Sequence, residues 1–285
     1  GVLLHITSLP SQYGVGDLGD EAYKFVDSIS DKGISLWQIL PTGPTGFGDS
    51  PYAARSAFAG NELFISPKAL YLKGWLDIDD VLVKANENER VNYGEAINLK
   101  MPMLFKAAAN FLTKGEKEDL EDFAAFRKEE GWWLEDYALF QALCAKYNDA
   151  RWLSVWPKDL RTREKKAMDK ARKEQKSLVD IYCVLQYFFY TQWDKLKKYA
   201  NEKGIKVLNT PNASTRSVAE LTIGQIITLS RFINIANVTM REGQWNKKQY
   251  VGTEIFGKTL GIIGLGRIGK TVAKMAHALG MNIIY

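Results

Sequence analysis

The run TLGIIGLGRIGKTVAKMAHALGMNIIY, residues 259–285, is the most confining stretch of this sequence. The apolar stretch 260–263 leads straight into Gly264, Gly266 and Gly269 in G-x-G-x-x-G spacing. A helical pattern follows to about Leu279, Gly280 stops it, and a second strand is expected over 282–285. Strand, glycines and helix in that order predict a βαβ unit whose loop holds a dinucleotide. Gly264 is expected to make the tight turn, Gly266 to let the pyrophosphate approach the backbone, and Gly269 to let helix and strand pack closely. Backbone N–H groups near Arg267 and Ile268 open the helix and are the expected phosphate donors. A dinucleotide is the ligand class this implies. His277, inside the same helix, reads as a surface residue.

The remainder has a different texture. Residues 1–206 hold 29 Lys and Arg against 30 Asp and Glu, while residues 207–285 hold 9 against 3. The net charge of +5 therefore arises entirely in the last part. Seven of the eight tryptophans lie in the first. The basic residues of 207–285 are scattered and form no patch interleaved with aromatics, so nucleic acid is not an expected partner. With 285 residues, the chain has room for one large domain or two ordinary ones. No apolar run is long enough for a membrane span, and no basic region precedes GVLLHI to make it a signal peptide. Cys144 and Cys183 have no metal-ligand spacing and read as reduced, buried thiols of a cytoplasmic protein; no metal is expected. The chain opens on Gly1 rather than methionine, which predicts residues upstream.

Along residues 1–206, GVLLHI predicts a strand. DEAYKFVDSISDKG predicts a helix capped by Asp20, with Ala22, Phe25, Val26 and Ile29 inward and Gly33 as its stop. ISLWQIL predicts a second strand, parallel to the first. The loop that follows, PTGPTGFGDSPY, is long and lies at the carboxyl end of a strand, where α/β folds place ligands. Helical spacing covers 103–147 and 160–199, the charged run 161–176 being a solvated helix face. His5 is expected in the first strand with a satisfied ring, and Trp132 and Trp133 are expected to pack their helix.

The stretches GVLLHITSLPS, GDLGDEAYKFVD, WQILPTGPTGFGDSPY, SAFAGNE, WWLEDYALFQAL, WPKDLRTR and LQYFFYTQWDKLKKYANEKGIKV resemble the amylomaltase family of 4-alpha-glucanotransferases, in that order and to about residue 207. The resemblance implies an α/β fold, a (β/α)8 barrel with helical insertions. It also implies retaining transfer of α-1,4-glucan or maltooligosaccharide between sugar hydroxyls. Through the GDSPY loop it makes Asp49, Ser50 and Tyr52 candidate glucan contacts. Phe47 matches a position where the family often has Tyr, at a second glucan-binding patch. The family's nucleophilic aspartate, acid/base glutamate and third aspartate belong to later barrel strands, which do not follow here.

NTPNASTRSVAELTIG and GKTLGIIGLGRIG resemble D-isomer 2-hydroxyacid dehydrogenases of the D-3-phosphoglycerate type. The resemblance implies NAD as the cofactor, with weak binding expected here: in that family an acidic residue holding the adenine ribose follows the second strand, and the catalytic Arg, Glu and His come later still. The chain thus reads as a chimera: an incomplete barrel over 1–206 joined to a partial Rossmann-type unit over 207–285. The switch falls inside KGIKV, a helix stop and strand that suit both families. The expectation is a chain inactive as it stands. Three alternatives remain: an NAD-dependent D-3-phosphoglycerate dehydrogenase-like oxidoreductase, a non-catalytic sugar- or cofactor-binding module, and an enzyme whose missing residues lie on a longer parent chain.

Overall fold

Trp37 organises the first sheet. In the computed structural model, which describes residues 1–83, 90–209 and 214–285 and, at Phe47, the backbone alone, three short strands run parallel in the order β1 (Val2–Leu3), β2 (Leu36–Gln38), β3 (Lys206–Leu208). Trp37 pairs with Val2 on one side and Val207 on the other. Its ring is fully buried, Nε1 donates to the Leu4 carbonyl at 2.8 Å, and Phe25 meets it edge-on. Phe25 belongs to α1 (Asp20–Asp31), the crossover between β1 and β2. The inward face of α1 is the expected one, and Gly33 stops it at φ +68°. The cap differs: Gly19 is the N-cap and Asp20 the first helical residue. Asp17 Oδ1 accepts the Gly19 N–H at 2.9 Å, and a Cβ at Gly19 would stand 2.5 Å from Ser66 Oγ, so only glycine fits that position.

The second crossover is long and helical. It holds α2 (Pro67–Leu72), α3 (Ile78–Val81), α4 (Tyr93–Lys114), α5 (Lys117–Tyr147), α6 (Trp152–Val155), α7 (Lys158–Arg161), α8 (Lys165–Glu174) and α9 (Lys176–Glu202). The stretch 103–147 is two helices, broken at Gly115, whose N–H closes the end of α4 on the Phe111 carbonyl. The stretch 160–199 is broken after α7, where Arg163 takes φ +55°. α8 buries Met168 and Ala171 and leaves its charges in water. α5 and α4 both pack on α9; Trp75, between α2 and α3, stacks on Phe188 of α9 at 4.8 Å, and Phe111 of α4 stands edge-on to both rings. Each such ring contributes about 1.5–3 kcal/mol by leaving water. Cys183 is buried and Cys144 half-buried, both as free thiols, and burial pushes them up to about 12 and about 11.

His5 lies outside the strand, and its Nδ1 is buried with no hydrogen-bond partner among the described residues. The ring instead meets Phe64 edge-on. Only 8% exposed, it lacks the satisfied ring the sequence predicts.

The chain divides into two compact units, Gly1–Asn209 and Thr210–Tyr285. The second holds α10 (Thr215–Ser230), α11 (Ile233–Arg241), β4 (Thr259–Gly261), α12 (Arg267–Ala278) and β5 (Asn282–Ile284). Ser217 or a neighbour predicts the start of a helix running to about Ile235, but α10 ends at Ser230, because Phe232 enters the left-handed region at φ +56°. Pro211 followed by Asn212 predicts a turn, and both lie outside the described residues. β4 and β5 are parallel, with Leu260 opposite Ile283, and α12 connects them. Among the described residues of this unit Ala219, Val272, Ala276 and Met281 are buried. No helix among the described residues is long and apolar enough to cross a membrane.

Candidate functional site

The loop after β2 folds back on itself. Gly46 N–H donates to the Ala53 carbonyl and Arg55 N–H to the Pro44 carbonyl, each at 2.9 Å. At the tip Gly48 takes φ +79°, which favours glycine, and Asp49 φ +53°, which an Asp tolerates better than most residues. Ser50 Oγ accepts the Tyr52 N–H at 3.3 Å, so that hydroxyl shapes the turn. Tyr52 is left standing in solvent, 76% exposed.

Tyr52 lines a groove of about 400 Å³ with Pro41, Gly43, Phe58, Tyr190 and Trp193, near the carboxyl ends of β2 and β3. Asp49 and Ser50 are on the loop tip and are not among its lining residues. Phe47 starts the turn at the tip; its side chain lies outside the description. None of the residues lining the groove is Asp or Glu. The groove therefore offers aromatic faces and a phenol, suited to a sugar's C–H surface and hydroxyls, but no carboxylate for attack or proton transfer.

The base of the loop is anchored by α9. Gln186 Nε2 donates to the Gly60 carbonyl at 2.9 Å, and its Oε1 accepts the Gly60 N–H at 2.8 Å. Six residues on, Gln192 makes the same two-way contact with the Ser66 backbone, at 2.7 and 3.4 Å. Tyr190 Oη donates to the Phe58 carbonyl. Beneath, Glu62 Oε1 accepts from Tyr137 Oη at 2.6 Å and from Gln186 Nε2 at 3.1 Å. Burial raises the Glu62 carboxyl above the ordinary range, and these donors work against that. The sequence shows Gln186 only as a lone polar residue in the run VLQYFF, which is the one signal that could have found it.

In the second unit Gly264 takes φ +97°, as a tight turn requires. Gly266 is the N-cap of α12, and a Cβ built on it meets nothing within 4 Å. A Cβ on Gly269 would stand 2.2 Å from the Gly264 carbonyl oxygen and 3.3 Å from Ile262 Cγ2, so helix and loop close here only around glycine. Arg267 and Ile268 are the first residues of α12, whose opening N–H groups lack intrahelical partners by geometry. The arrangement presents donors at a helix start beside an open backbone surface, as an anion cradle does.

Comparison with known proteins matches both parts. Residues 4–211 fit the 4-alpha-glucanotransferase family model, and residues 223–285 that of the D-isomer specific 2-hydroxyacid dehydrogenase NAD-binding domain. The 4-alpha-glucanotransferase of Clostridium butyricum is 45% identical over 207 residues, covering 72% of this chain and 42% of its own, and that of Thermus thermophilus is 43% identical over 208, covering 73% and 41%. An amylomaltase from Streptococcus agalactiae, solved in complex with acarbose, is 38% identical at a TM-score of 0.69, covering 73% of this chain and 42% of that one. The chain spans about two fifths of the length of these relatives. Over residues 4–211, nearly three quarters of its length, the chain belongs to the 4-alpha-glucanotransferase family.

Proposed function

We propose that the first unit is the donor-loop side of an α-1,4-glucan transglycosylase, an open segment of a (β/α)8 barrel, and that this chain holds glucan without turning it over. The observation that carries this is the Tyr52 groove, aromatic, at the carboxyl end of a parallel sheet, and without an acidic residue in its lining. Retaining transfer needs two carboxyl groups roughly 5 Å apart across the bond. Tyr52 is the residue to stack on a sugar ring, while Asp49, Ser50 and Phe47 add contacts at the tip. The match to 4-alpha-glucanotransferases and to an acarbose-bound amylomaltase supports α-1,4-linked sugar as the ligand class. Free thiols support a reducing compartment, the cytoplasm.

Calorimetric titration with maltoheptaose and incubation with maltotriose test the two halves of this reading. Binding that Tyr52→Ala weakens, with no glucose or longer glucan released from maltotriose, is the expected result. Disproportionation by the pure protein, or no binding at all, overturns it.

A second reading concerns the second unit alone: a partial NAD site, in which Gly264, Gly266 and Gly269 admit the pyrophosphate to the start of α12. The open surface at Gly266 favours it. No step of chemistry follows from this unit, because a pyrophosphate cradle positions no hydride acceptor.

A further inference from the structure

A larger cavity, of about 510 Å³, adjoins the Tyr52 groove, and Ser56 and Phe58 line both. This volume lies within the range of about 300–1,000 Å³ typical of small-ligand clefts. Helical phase builds one wall. Trp132, Asp136 and Phe140 are four residues apart and form one stripe of α5, and all three line the cavity. The neighbouring stripe, Trp133 and Tyr137, also lines the cavity, but Trp133 is buried and Tyr137 is locked by its bond to Glu62. Adjacent tryptophans thus have opposite fates: Trp133 packs as the sequence predicts, whereas Trp132 is 68% exposed, held edge-on by Phe58 at 4.6 Å. Trp152 and Trp156 supply the facing wall from α6 and the residue after it. Among the described residues neither the Trp132 nor the Trp152 indole N–H has a protein acceptor.

Polar groups punctuate these rings. Asp136 is shared between Arg163 at 2.6 Å and Arg172 at 3.1 Å, which more than offset its charge, and Arg163 and Arg55 also line the cavity. Ser56 Oγ accepts the Phe58 and Ala59 N–H groups, so its own proton remains to be donated. Flat apolar faces alternating with hydrogen-bonding groups complement a pyranose ring, which has C–H faces and a hydroxyl rim. A lipid or apolar helix would require a lining without embedded charges.

We propose that this cavity is a second sugar subsite, taking further pyranose rings of the α-1,4-glucan that Tyr52 contacts, with Phe58 the shared wall over which the chain passes. Trp132 and Trp152 are the stacking faces, and Arg55, Ser56, Asp136 and Arg163 meet the hydroxyls. This rests on the glucan-binding reading above and extends it along the chain.

The test compares maltose with maltoheptaose by calorimetry on the whole protein and on Tyr52→Ala, Trp132→Ala, Trp132→Phe and Trp152→Ala, with circular dichroism confirming the fold of each. The expected result is maltoheptaose binding at least about tenfold tighter than maltose. Trp132→Ala and Trp152→Ala should remove most of that advantage and leave maltose affinity unchanged, while Trp132→Phe retains much of it. Unchanged maltoheptaose affinity in both alanine variants, with Tyr52→Ala weakening both sugars, overturns the subsite and leaves the glucan reading standing. No binding of either sugar to the unaltered protein overturns both. A fluorescent apolar probe, anilinonaphthalene sulfonate, bound at Trp132 and not displaced by maltoheptaose, would mark an apolar patch and also overturn the subsite.

Discussion

The carboxamide of Gln186 closes a two-way hydrogen-bonded ring with the backbone of Gly60, 126 residues away, at 2.8 and 2.9 Å. Both groups are buried, so neither Gly60 N–H nor its carbonyl has water as a substitute. Gln186→Leu leaves both unpaired and also removes a donor from Glu62. At about 1–3 kcal/mol for each orphaned group, the loss should be about 3 kcal/mol. Gln186→Glu should be at least as damaging, because its carboxylate cannot donate to the Gly60 carbonyl and confronts Glu62. Urea unfolding of the two variants checks this, and a loss below about 1 kcal/mol in both would contradict it.

Gly60 itself admits no side chain. A Cβ there would lie 2.0 Å from Phe189 Cδ1, a buried ring of α9 with little freedom to move. Gly60→Ala should cost about 2–3 kcal/mol, in the range of overpacking substitutions. Phe189→Leu in the same chain should recover part of it, since the branched side chain vacates the ring edge. Equal stability of the single and double variants would show that the clash is not the cause.

His5 makes stability depend on pH in a narrow window. Burial holds the imidazole down at about 4, against an ordinary 6.5. Above pH 6.5 the ring is neutral in both states and contributes nothing. Between 6.5 and 4 the unfolded chain takes up the proton and the folded one does not, so stability falls as the solution is acidified, and below 4 the loss is complete. Allowing for solvent screening, the loss is about 2 kcal/mol. His5→Phe, which keeps the ring edge on Phe64, should flatten this window. A constant difference in unfolding midpoint between the two proteins from pH 7 to pH 4 would refute the assignment.

What was legible followed from local pattern. The α1 face, the parallel pairing of β1 with β2, and the βαβ around Gly264 all rest on residues close in sequence, where periodicity and glycine placement carry the information. The long loop after β2 could be located, because a Gly- and Pro-rich run after a strand is local too. What anchors it could not. Gln186 meets Gly60 and Lys100 meets Asp17 across more than 80 residues, and Lys100 Nζ also reaches the Leu63 carbonyl at 2.6 Å. Nothing in a lysine at a helical position announces burial. Trp132 was misread for a related reason: it adjoins a tryptophan that does pack, and one residue of α-helix turns a side chain by about 100°.

The second unit should be the softer of the two. Ile263, Ile284, Phe256 and Val251 are largely exposed, and its two-stranded sheet has too few strands for independent stability without further cover. Amide hydrogens of β4 and β5 should therefore exchange orders of magnitude faster than those of α9, whose residues Val184, Leu185 and Leu196 are fully buried. Heating should give two transitions. A single sharp, reversible transition of monomeric protein would contradict this.

The second and third glycines of the dinucleotide loop separate structure from ligand. Gly266 has φ −75°, a value open to any residue, and its Cβ direction is empty, so Gly266→Val should leave the unit's fold unchanged and fill only the space a pyrophosphate would take. Gly269→Ala drives a methyl to within 2.2 Å of the Gly264 carbonyl and should disturb the loop whether or not anything binds. The cradle offers only N–H groups at the start of α12, while small-ligand affinity comes from a cleft that covers most of the ligand. NADH should therefore bind more weakly than micromolar, about −8 kcal/mol, because ordering a sparsely packed unit consumes further free energy. Calorimetry with NADH on the unaltered protein and both variants decides the matter. Weak heat that Gly266→Val abolishes while the circular dichroism stays constant would confirm a pyrophosphate contact at this glycine. Micromolar affinity would show that two strands and one helix already form most of the cleft, and heat that survives Gly266→Val would place the cofactor elsewhere.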